Sequence, residues 1–441
     1  MSRLKERLEA RDKLKVLTAA RQSVVATVDL GASKVGCFIM KADGVSRDDR
    51  LIQVSGVAHV RSRGIRGGVI VNMEEAAEAV AQAVERAETM AGVSVSAVTL
   101  TTAGGQLASH RVSSGVSLGA KPISDQDLSR ALHMALAQAR FPGRRPIHLL
   151  PIAWSVDNQR GVRDPRDMFG RQLGLELLVV TMAESAYATL GHCLELVHLQ
   201  LEGVVAAPFA SALAALEDDE MDLGCTCIDM GGGSTSTAVF AGGSLVHVDS
   251  LPVGGGHVTA DVARGLSTTL AGAERIKTLH GSATASANED REMIEAPPRG
   301  DDPGAGPVVA PRSLLKGVIA PRVEETLELV RERLKASGAP IEPGAGIVLT
   351  GGASQLAGVR ELAIRVFDRP VRLGRPRRAP HLAEAASGPA FCAAAGVLHR
   401  SAFGPREAVQ TRVAGAKGVH GEAAEGSGVL ARAAGWLRDN L

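Results

Sequence analysis

The chain predicts an α/β protein of two similar halves, with a smaller α+β unit inserted into the first. Three stretches carry that prediction. CTCIDMGGGSTSTAVF (225–240) brings Asp229 to the tip of an apolar strand, followed by Gly231, Gly232, Gly233, the hydroxyl run from Ser234 and Thr235, and a second strand. VVATVDLGASKVGCFIM (24–40) repeats the plan 229 − 29 = 200 residues upstream, with Asp29, Gly31 and the small polar turn Ala32, Ser33, Lys34 between strands. GIVLTGGASQLAGV (346–359) sets Gly351 and Gly352 after a strand and, by its pattern, at the start of a helix.

Each of these turns has the chemistry of a phosphate site. Glycine lacks a Cβ and accepts positive φ, so successive backbone N–H groups can close on an anion. A helix start adds N–H donors and the positive end of its dipole. Asp229 is placed to reach a magnesium ion through its waters. Two hairpins of one kind imply a duplicated architecture with nucleotide in the cleft between the halves.

Composition narrows the partners. A chain of 441 residues is long enough for two domains with real cores, and Lys+Arg 49 against Asp+Glu 48 leaves it near neutral. No basic stripe interleaved with aromatics appears, so nucleic acid is not an expected partner. Aromatics are 2%, which leaves the core to Ala, Val and Leu. The five cysteines (Cys37, Cys193, Cys225, Cys227, Cys392) are scattered and read as buried thiols of a reducing cytosol. Cys225 and Cys227 share a strand face, but no second pair or histidine accompanies them, so they read as packing. Neither a secretory signal nor a bilayer-spanning run is visible, and a soluble chain is expected.

Taken in order, residues 1–22 alternate basic and apolar side chains and read as a solvated basic extension. After the Asp29 hairpin come a strand near 51–60, a glycine cluster (Gly64, Gly67, Gly68) and a helix over 73–91, where Ala76, Val80, Val84, Ala87 and Ala91 recur at helical spacing. A strand ends at Gly104 and Gly105. From 106 to 181 strands flank one helix (125–138), the inserted unit, with Trp154 in its core. A helix near 184–196 returns to the main body. VVAAPFASALAALEDDE then leads to the central hairpin, its acidic end reading as a solvated helix terminus and not a metal site. VGGGHVTADVARGL and AGAERIKTLHG are expected helices. Residues 281–312 read as a loop, followed by a helix after Pro321 with Val323, Leu327, Val330 and Leu334 on one face. His148 and His257 read as packing or surface residues. Residues 401–427 read as a flexible linker.

The chain ends in VLARAAGWLRDNL (429–441), an amphipathic helix by pattern. Val429, Leu430, Ala433, Trp436, Leu437 and Leu441 share one arc, with Arg432 and Arg438 opposite and suited to anionic headgroups. Gly435 weakens it by about 1 kcal/mol relative to alanine. One such anchor binds weakly, whereas an array of linked copies raises avidity by ~10² or more.

These parts together resemble the FtsA family of actin-like bacterial cell-division proteins. The resemblance covers residues 24–398 and the tail. Beyond the hairpins it rests on DPRDMFGRQLGLEL (164–177), ALEDDEMDLGCTCIDMGGG, LPVGGGHVTADVA (251–263), AERIKTLHG (273–281) and GVIAPRVEETLELV. It implies an actin-like, ribonuclease H-like duplicated fold: subdomain 1A over 23–105 and 182–222, 1C over 106–181, 2A over 223–280 and 341–400, and 2B over 281–340. It implies ATP in the cleft, Asp29 and Asp229 serving Mg2+, and Gly31, Gly232, Gly233 and Ser234 on phosphates. Gly255, Glu274 and Lys277 then approach the adenosine side, with Gly351, Gly352 and Ala353 closing over it. It implies protofilaments of the chain with itself, recruitment of downstream division proteins, and the FtsZ C-terminal peptide bound on 2B, where Arg322 and Glu325 sit. The implied location is the cytoplasmic face of the inner membrane at the division site.

Two departures bear on turnover. Where the superfamily often carries Glu or Gln to position the attacking water, this chain has Ala207, and where Asp is frequent after the hairpin it has Ser236. Weak or absent ATPase activity is therefore expected. A small-molecule kinase of the same fold is the alternative, but no carboxylate base facing an acceptor pocket is evident. A pilus-assembly actin-like protein would share the insert but lack the Trp-bearing tail.

Overall fold

The computed structural model describes residues 23–43, 51–119, 121–284, 292–299, 306–376 and 384–403. The basic extension (1–22), nearly all of the linker and the terminal helix lie outside the described residues.

The first half opens with β1 (Ser23–Leu30) paired antiparallel to β2 (Lys34–Asp43), and β2 to β3 (Leu51–Arg61). A small ladder of β4 (Ile65–Arg66) and β5 (Val69–Ile70) holds the glycine cluster. α1 (Met73–Ala91) starts where Asn72 Oδ1 accepts the Glu75 N–H at 3.3 Å, and it ends at Gly92 with φ 65°. Its alanine face lies so close to β3 that a Cβ on Gly56 would meet the Ala87 carbonyl oxygen at 2.3 Å. β6 (Ala97–Thr102) then runs parallel to β1.

The insert follows: β7 (Ala108–Ser117), α2 (Asp125–Gln138), β8 (Arg144–Val156), β9 (Gln159–Val162) and β10 (Gln172–Ala183). Its strands lie in the order β7-β10-β8-β9 and pair antiparallel, with α2 against the sheet and Leu128, Leu132, Trp154, Leu173 and Leu177 in a separate core. α3 (Glu184–Glu195) and β11 (Gln200–Ala206) return to the main sheet, whose order is β11-β6-β1-β2-β3.

α4 (Ala207–Ala215) and α5 (Asp218–Leu223) lead into the second half. There β12 (Cys225–Met230), β13 (Thr235–Ala241) and β14 (Ser244–Leu251) form an antiparallel set. Next come α6 (Gly255–Gly265), α7 (Leu270–His280), the hairpin β15 (Met293–Ala296) with β16 (Val308–Pro311), and α8 (Arg312–Ala336). β17 (Gly346–Thr350), α9 (Val359–Phe367), β18 (Val371–Leu373) and α10 (Cys392–Phe403) complete it. The sheet order β14-β13-β12-β17-β18 has the same run of two antiparallel and two parallel pairings as the first half. The duplication inferred from two hairpins is thus a duplication of whole sheets.

Five local expectations are corrected. The stretch 281–312 is not all loop: β15 and β16 pair within it, four residues each, too short for a periodic signal. The long helix begins at Arg312, nine residues before Pro321, because Leu315 and Ile319 extend the buried stripe of Val323, Leu327, Val330 and Leu334 through the proline. Pro321 has no N–H and forfeits the helix bond to the residue 317 carbonyl. Gly352 starts a 3₁₀ turn, Gly352–Gln355, and the α-helix begins only at Val359, so a helix dipole adds little at Gly351 and Gly352. The last helix runs to Phe403, three residues into the stretch read as linker. The acidic run is also less solvated than expected, since Glu220 is paired to Arg372 at 2.5 Å.

Between the halves, α4 and α10 cross at small residues. A Cβ on Gly396 would sit 1.7 Å from the Ala210 carbonyl oxygen. His148 packs at the head of this crossing, its Nε2 accepting the Ala206 N–H at 3.0 Å and its ring 5.2 Å from that of Phe209. The insert bridges both halves: the Ser109 hydroxyl bonds Val248 backbone on β14, and Arg111 donates to the Gly338 carbonyl at 2.7 Å.

Gly396→Ala is expected to destabilise the chain by about 2–3 kcal/mol through overpacking, lowering the thermal midpoint by several degrees in calorimetry. An unchanged midpoint would show that α4 and α10 do not pack this tightly. A second expectation concerns acid. Burial raises the Asp249 carboxyl, but hydrogen bonds from Arg333 at 2.5 and 2.7 Å and from the Ser250 backbone outweigh it and hold the pKa below 3.8. A depressed folded-state pKa stabilises above the unfolded value and is lost as pH falls through the folded one. Asp249→Asn should therefore flatten the loss of stability below pH 3.8, measured by denaturant unfolding at stepped pH.

Candidate nucleotide cleft

The two hairpins meet tip to tip. In β1–β2, Asp29 pairs in register with Gly36 and the Gly31 N–H donates to the Lys34 carbonyl at 3.1 Å. In β12–β13, Asp229 pairs with Ser236 and the Gly231 N–H donates to the Ser234 carbonyl at 2.8 Å. The turn geometry is the same in both, 200 residues apart.

A cavity of about 130 Å³ lies between them. Its lining includes Asp29, Gly31, Ala32, Ser33 and Lys34 from one half, and Asp229, Gly231, Gly232, Gly233, Ser234, Gly351 and Gly352 from the other. Ala207 and Ser236, the two departures, also line it. The tips touch: a Cβ on Gly233 would lie 2.6 Å from the Ala32 Cβ and 2.9 Å from the Gly67 nitrogen. Gly351, at φ 83°, passes so near that a Cβ there would lie 2.3 Å from Asp229 Oδ1. Only glycine fits.

The remaining expected residues do not line this cavity. Thr235 is fully buried in β13, its hydroxyl donating to the Val253 carbonyl at 2.8 Å. Gly255, Glu274, Lys277 and Ala353 form a neighbouring cluster. Lys277 Nζ reaches Glu274 at 2.7 Å, the Thr259 hydroxyl at 2.8 Å and the Gly255 carbonyl at 3.2 Å. That cluster joins the cleft through the Gly255 N–H, which donates to the Gly231 carbonyl at 2.9 Å. His257 caps the same turn, its Nδ1 accepting the Gly254 N–H at 3.1 Å. Arg322 and Glu325 are elsewhere, on α8, paired with each other and, through Arg322, with Asp261.

Two buried carboxyls dominate the electrostatics of the cleft. Burial pushes the Asp29 carboxyl up to about 7, with Lys34 lowering it and Asp229 raising it further. Burial also raises Asp229, opposed by the Ser211 hydroxyl bonded to Oδ2 and by Lys34. Burial lowers Lys34 to about 8 against the pull of the two aspartates. Its ammonium stands 3.1 Å from the centroid of the Phe391 ring. Among the described residues no group of three or more His, Cys, Asp or Glu side chains gathers. Two carboxylates in a glycine-lined cleft fit Mg2+, which takes most of its ligands from water and phosphate.

Sequence reading missed Ser211 as a partner of Asp229, and missed Phe391, Pro389, Ala390 and Ala393 at the cleft edge. Nothing in their local pattern marks them. They arrive through α4, α10 and the turn just before α10, which the fold brings together.

Known proteins resemble the chain in sequence and in fold. Residues 226–396 match the family "Cell division protein FtsA", and residues 104–181 match "SHS2 domain inserted in FTSA". The chain is 40% identical over 435 residues to the cell division protein FtsA of Agrobacterium fabrum, covering 97% of each. Against that of Escherichia coli it is 30% identical over 391 residues, 87% of this chain and 91% of the other. Among solved structures, a PilM-PilN type IV pilus biogenesis complex aligns at TM-score 0.59 and 18% identity, covering 87% of this chain and all 100% of the other. ADP-bound MreB5 of Spiroplasma citri aligns at TM-score 0.50 and 15% identity, over 85% and 95%. The structural likenesses establish the actin-like fold, pilus protein included. The sequence identities go further: the chain belongs to the FtsA family of actin-like cell-division proteins.

Proposed function

We propose that the chain binds ATP with Mg2+ between its halves, assembles with copies of itself on the cytoplasmic face of the inner membrane, and tethers FtsZ there while recruiting later division proteins. The observation that carries this reading is the pair of matched Asp-Gly hairpins facing one glycine-lined cavity. Backbone N–H groups around Gly31, Gly232, Gly233 and Ser234 hold phosphate oxygens. Asp29 and Asp229 orient the ion's water shell, and the ion supplies the positive charge that two buried carboxylates and a polyphosphate require. Glu274, Lys277, Gly255 and Ala353 border the adenosine side.

A cavity of 130 Å³ is smaller than the ~300–1,000 Å³ of ordinary ligand pockets. Nucleotide therefore enters as the tips at Gly233 and Ala32 separate about the α4–α10 crossing. A ligand with higher affinity for one angle shifts the population toward it, which is how ATP would favour the assembling form. Residues 429–441 would then bring many weak anchors to one surface, and α8, with Arg322 and Glu325, offers a face for the FtsZ C-terminal peptide.

Hydrolysis is slow in this reading. Ala207 and Ser236 line the cleft, and neither orients water as a carboxamide or carboxylate does. A positioned general base contributes ~10² to 10⁴ in rate. Ala207→Gln should raise ATP turnover tenfold or more in a phosphate-release assay, and a variant that binds ATP without that gain would refute the explanation.

Co-sedimentation with anionic liposomes tests the whole proposal. The full chain should pellet more with ATP than without, Asp229→Asn should lose the ATP-dependent increment, and a chain ending at Ser427 should stay in solution. Equal pelleting of the full and shortened chains would remove the tail as the anchor and turn attention to residues 1–22.

A further inference from the structure

A second polar groove, of about 340 Å³, lies between β3 and α1 in the first half. Two rows of side chains form it. His59 and Arg61 are two apart on β3 and share a face, while Glu78, Gln82 and Arg86 recur every four residues along α1. Arg63 is held at one end by a fixed turn. The next residue, Gly64, has φ 69°, and its carbonyl accepts the Val71 and Asn72 N–H groups at 2.8 and 3.1 Å.

Three guanidiniums thus share one concavity with a single carboxylate. That carboxylate, Glu78, accepts the Gln82 amide at 3.0 Å through Oε1. Among the described residues, Arg61, Arg63 and Arg86 have no ion-pair partner. All three arginines are exposed, so their mutual repulsion is screened by water and their guanidiniums are accessible to an anion. Guanidinium forks match tetrahedral phosphate oxygens in bidentate fashion. The apolar lining is limited to Val60 and Ala79, with no slot for a nucleobase or an acyl chain.

The geometry points to a binding site in this groove for a phosphate group, separate from the nucleotide cleft. The phosphate comes either from a soluble phosphate compound or from the headgroup of an acidic phospholipid. The groove is not remote from the cleft. The His59 ring lies 5.7 Å from the Phe391 ring, edge to face, and Phe391 carries Lys34 of the cleft at 3.1 Å. An anion drawn to His59 thus lies one aromatic ring from the side chain that faces both aspartates.

The test is calorimetric titration of the full chain with pyrophosphate, in the presence of a saturating non-hydrolysable ATP analogue so that the cleft is not the reporter. Arg61→Glu/Arg86→Glu should weaken pyrophosphate binding at least tenfold. Arg140→Glu/Arg160→Glu, an equal charge change on the insert, should leave it within twofold. Arg61→Gln/Arg86→Gln should show the same loss as the first pair and serves if charge reversal impairs folding. A parallel arm pellets the same variants with phosphatidylglycerol vesicles. Loss in both arms identifies a lipid headgroup as the source, and loss in calorimetry alone identifies a soluble phosphate. Pyrophosphate affinity unchanged in both groove variants, or lowered equally by the insert variant, overturns the site.

Discussion

Two carboxylates buried in one cavity, Asp29 and Asp229, are the constraint on which the surrounding structure depends. Each is desolvated by burial, and Asp229 adds to the cost of ionising Asp29. Among the described residues, Lys34 is the cation that faces them, and the Ser211 hydroxyl donates to Asp229. Everything else at the cleft is built so that backbone can come close. Gly351 passes against Asp229, Gly233 touches the opposite tip, and Gly254 lies so near the second turn that a Cβ would meet the Gly231 carbonyl at 2.5 Å. Such approaches need sheets that end at the same place, which two copies of one sheet topology provide.

Between the halves the chain places small residues. α4 reads APFASALAA and α10 begins CAAAG. Alanine and glycine let two helices cross at backbone contact, with little side chain to interlock and resist rotation. The insert adds a second tie. It is covalently part of the first half, yet Ser109 and Arg111 bond to β14 and to the end of α8 in the second. Any change of angle between the halves is therefore felt at the insert's first strand.

What was legible in the sequence follows from range. The Asp-Gly hairpins, the alanine-faced α1 and the insert helix are local patterns, and their glycine, capping and periodic signals lie within a few residues of the structure they specify. Gly255, Glu274 and Lys277 became visible only through resemblance, since their proximity depends on how α6 and α7 pack. Ser211 and Phe391 could not be read at all. Each is an ordinary residue in an alanine-rich segment until the fold sets it beside Asp229 or Lys34. Pro321 misled for the opposite reason: a local stop signal was overridden by the buried stripe from Leu315 to Leu334.

Phe391 shows how much of the first half's electrostatics passes through one side chain. The chain has very few aromatics, yet two phenylalanines and a histidine ring lie together here. Phe391 packs edge-on to Phe38 at 6.1 Å and to His59 at 5.7 Å, and its face meets the Lys34 ammonium. Lys34 is desolvated and lowered to about 8, so the ring quadrupole is among the few things other than the aspartates that favour its charge. Loss of the ring would remove a support of the only cation among the cavity-lining residues and would also free His59 on the outer groove. The position just before α10 therefore couples three things that the sequence keeps far apart: the first hairpin, the helix crossing between the halves, and the arginine groove on α1.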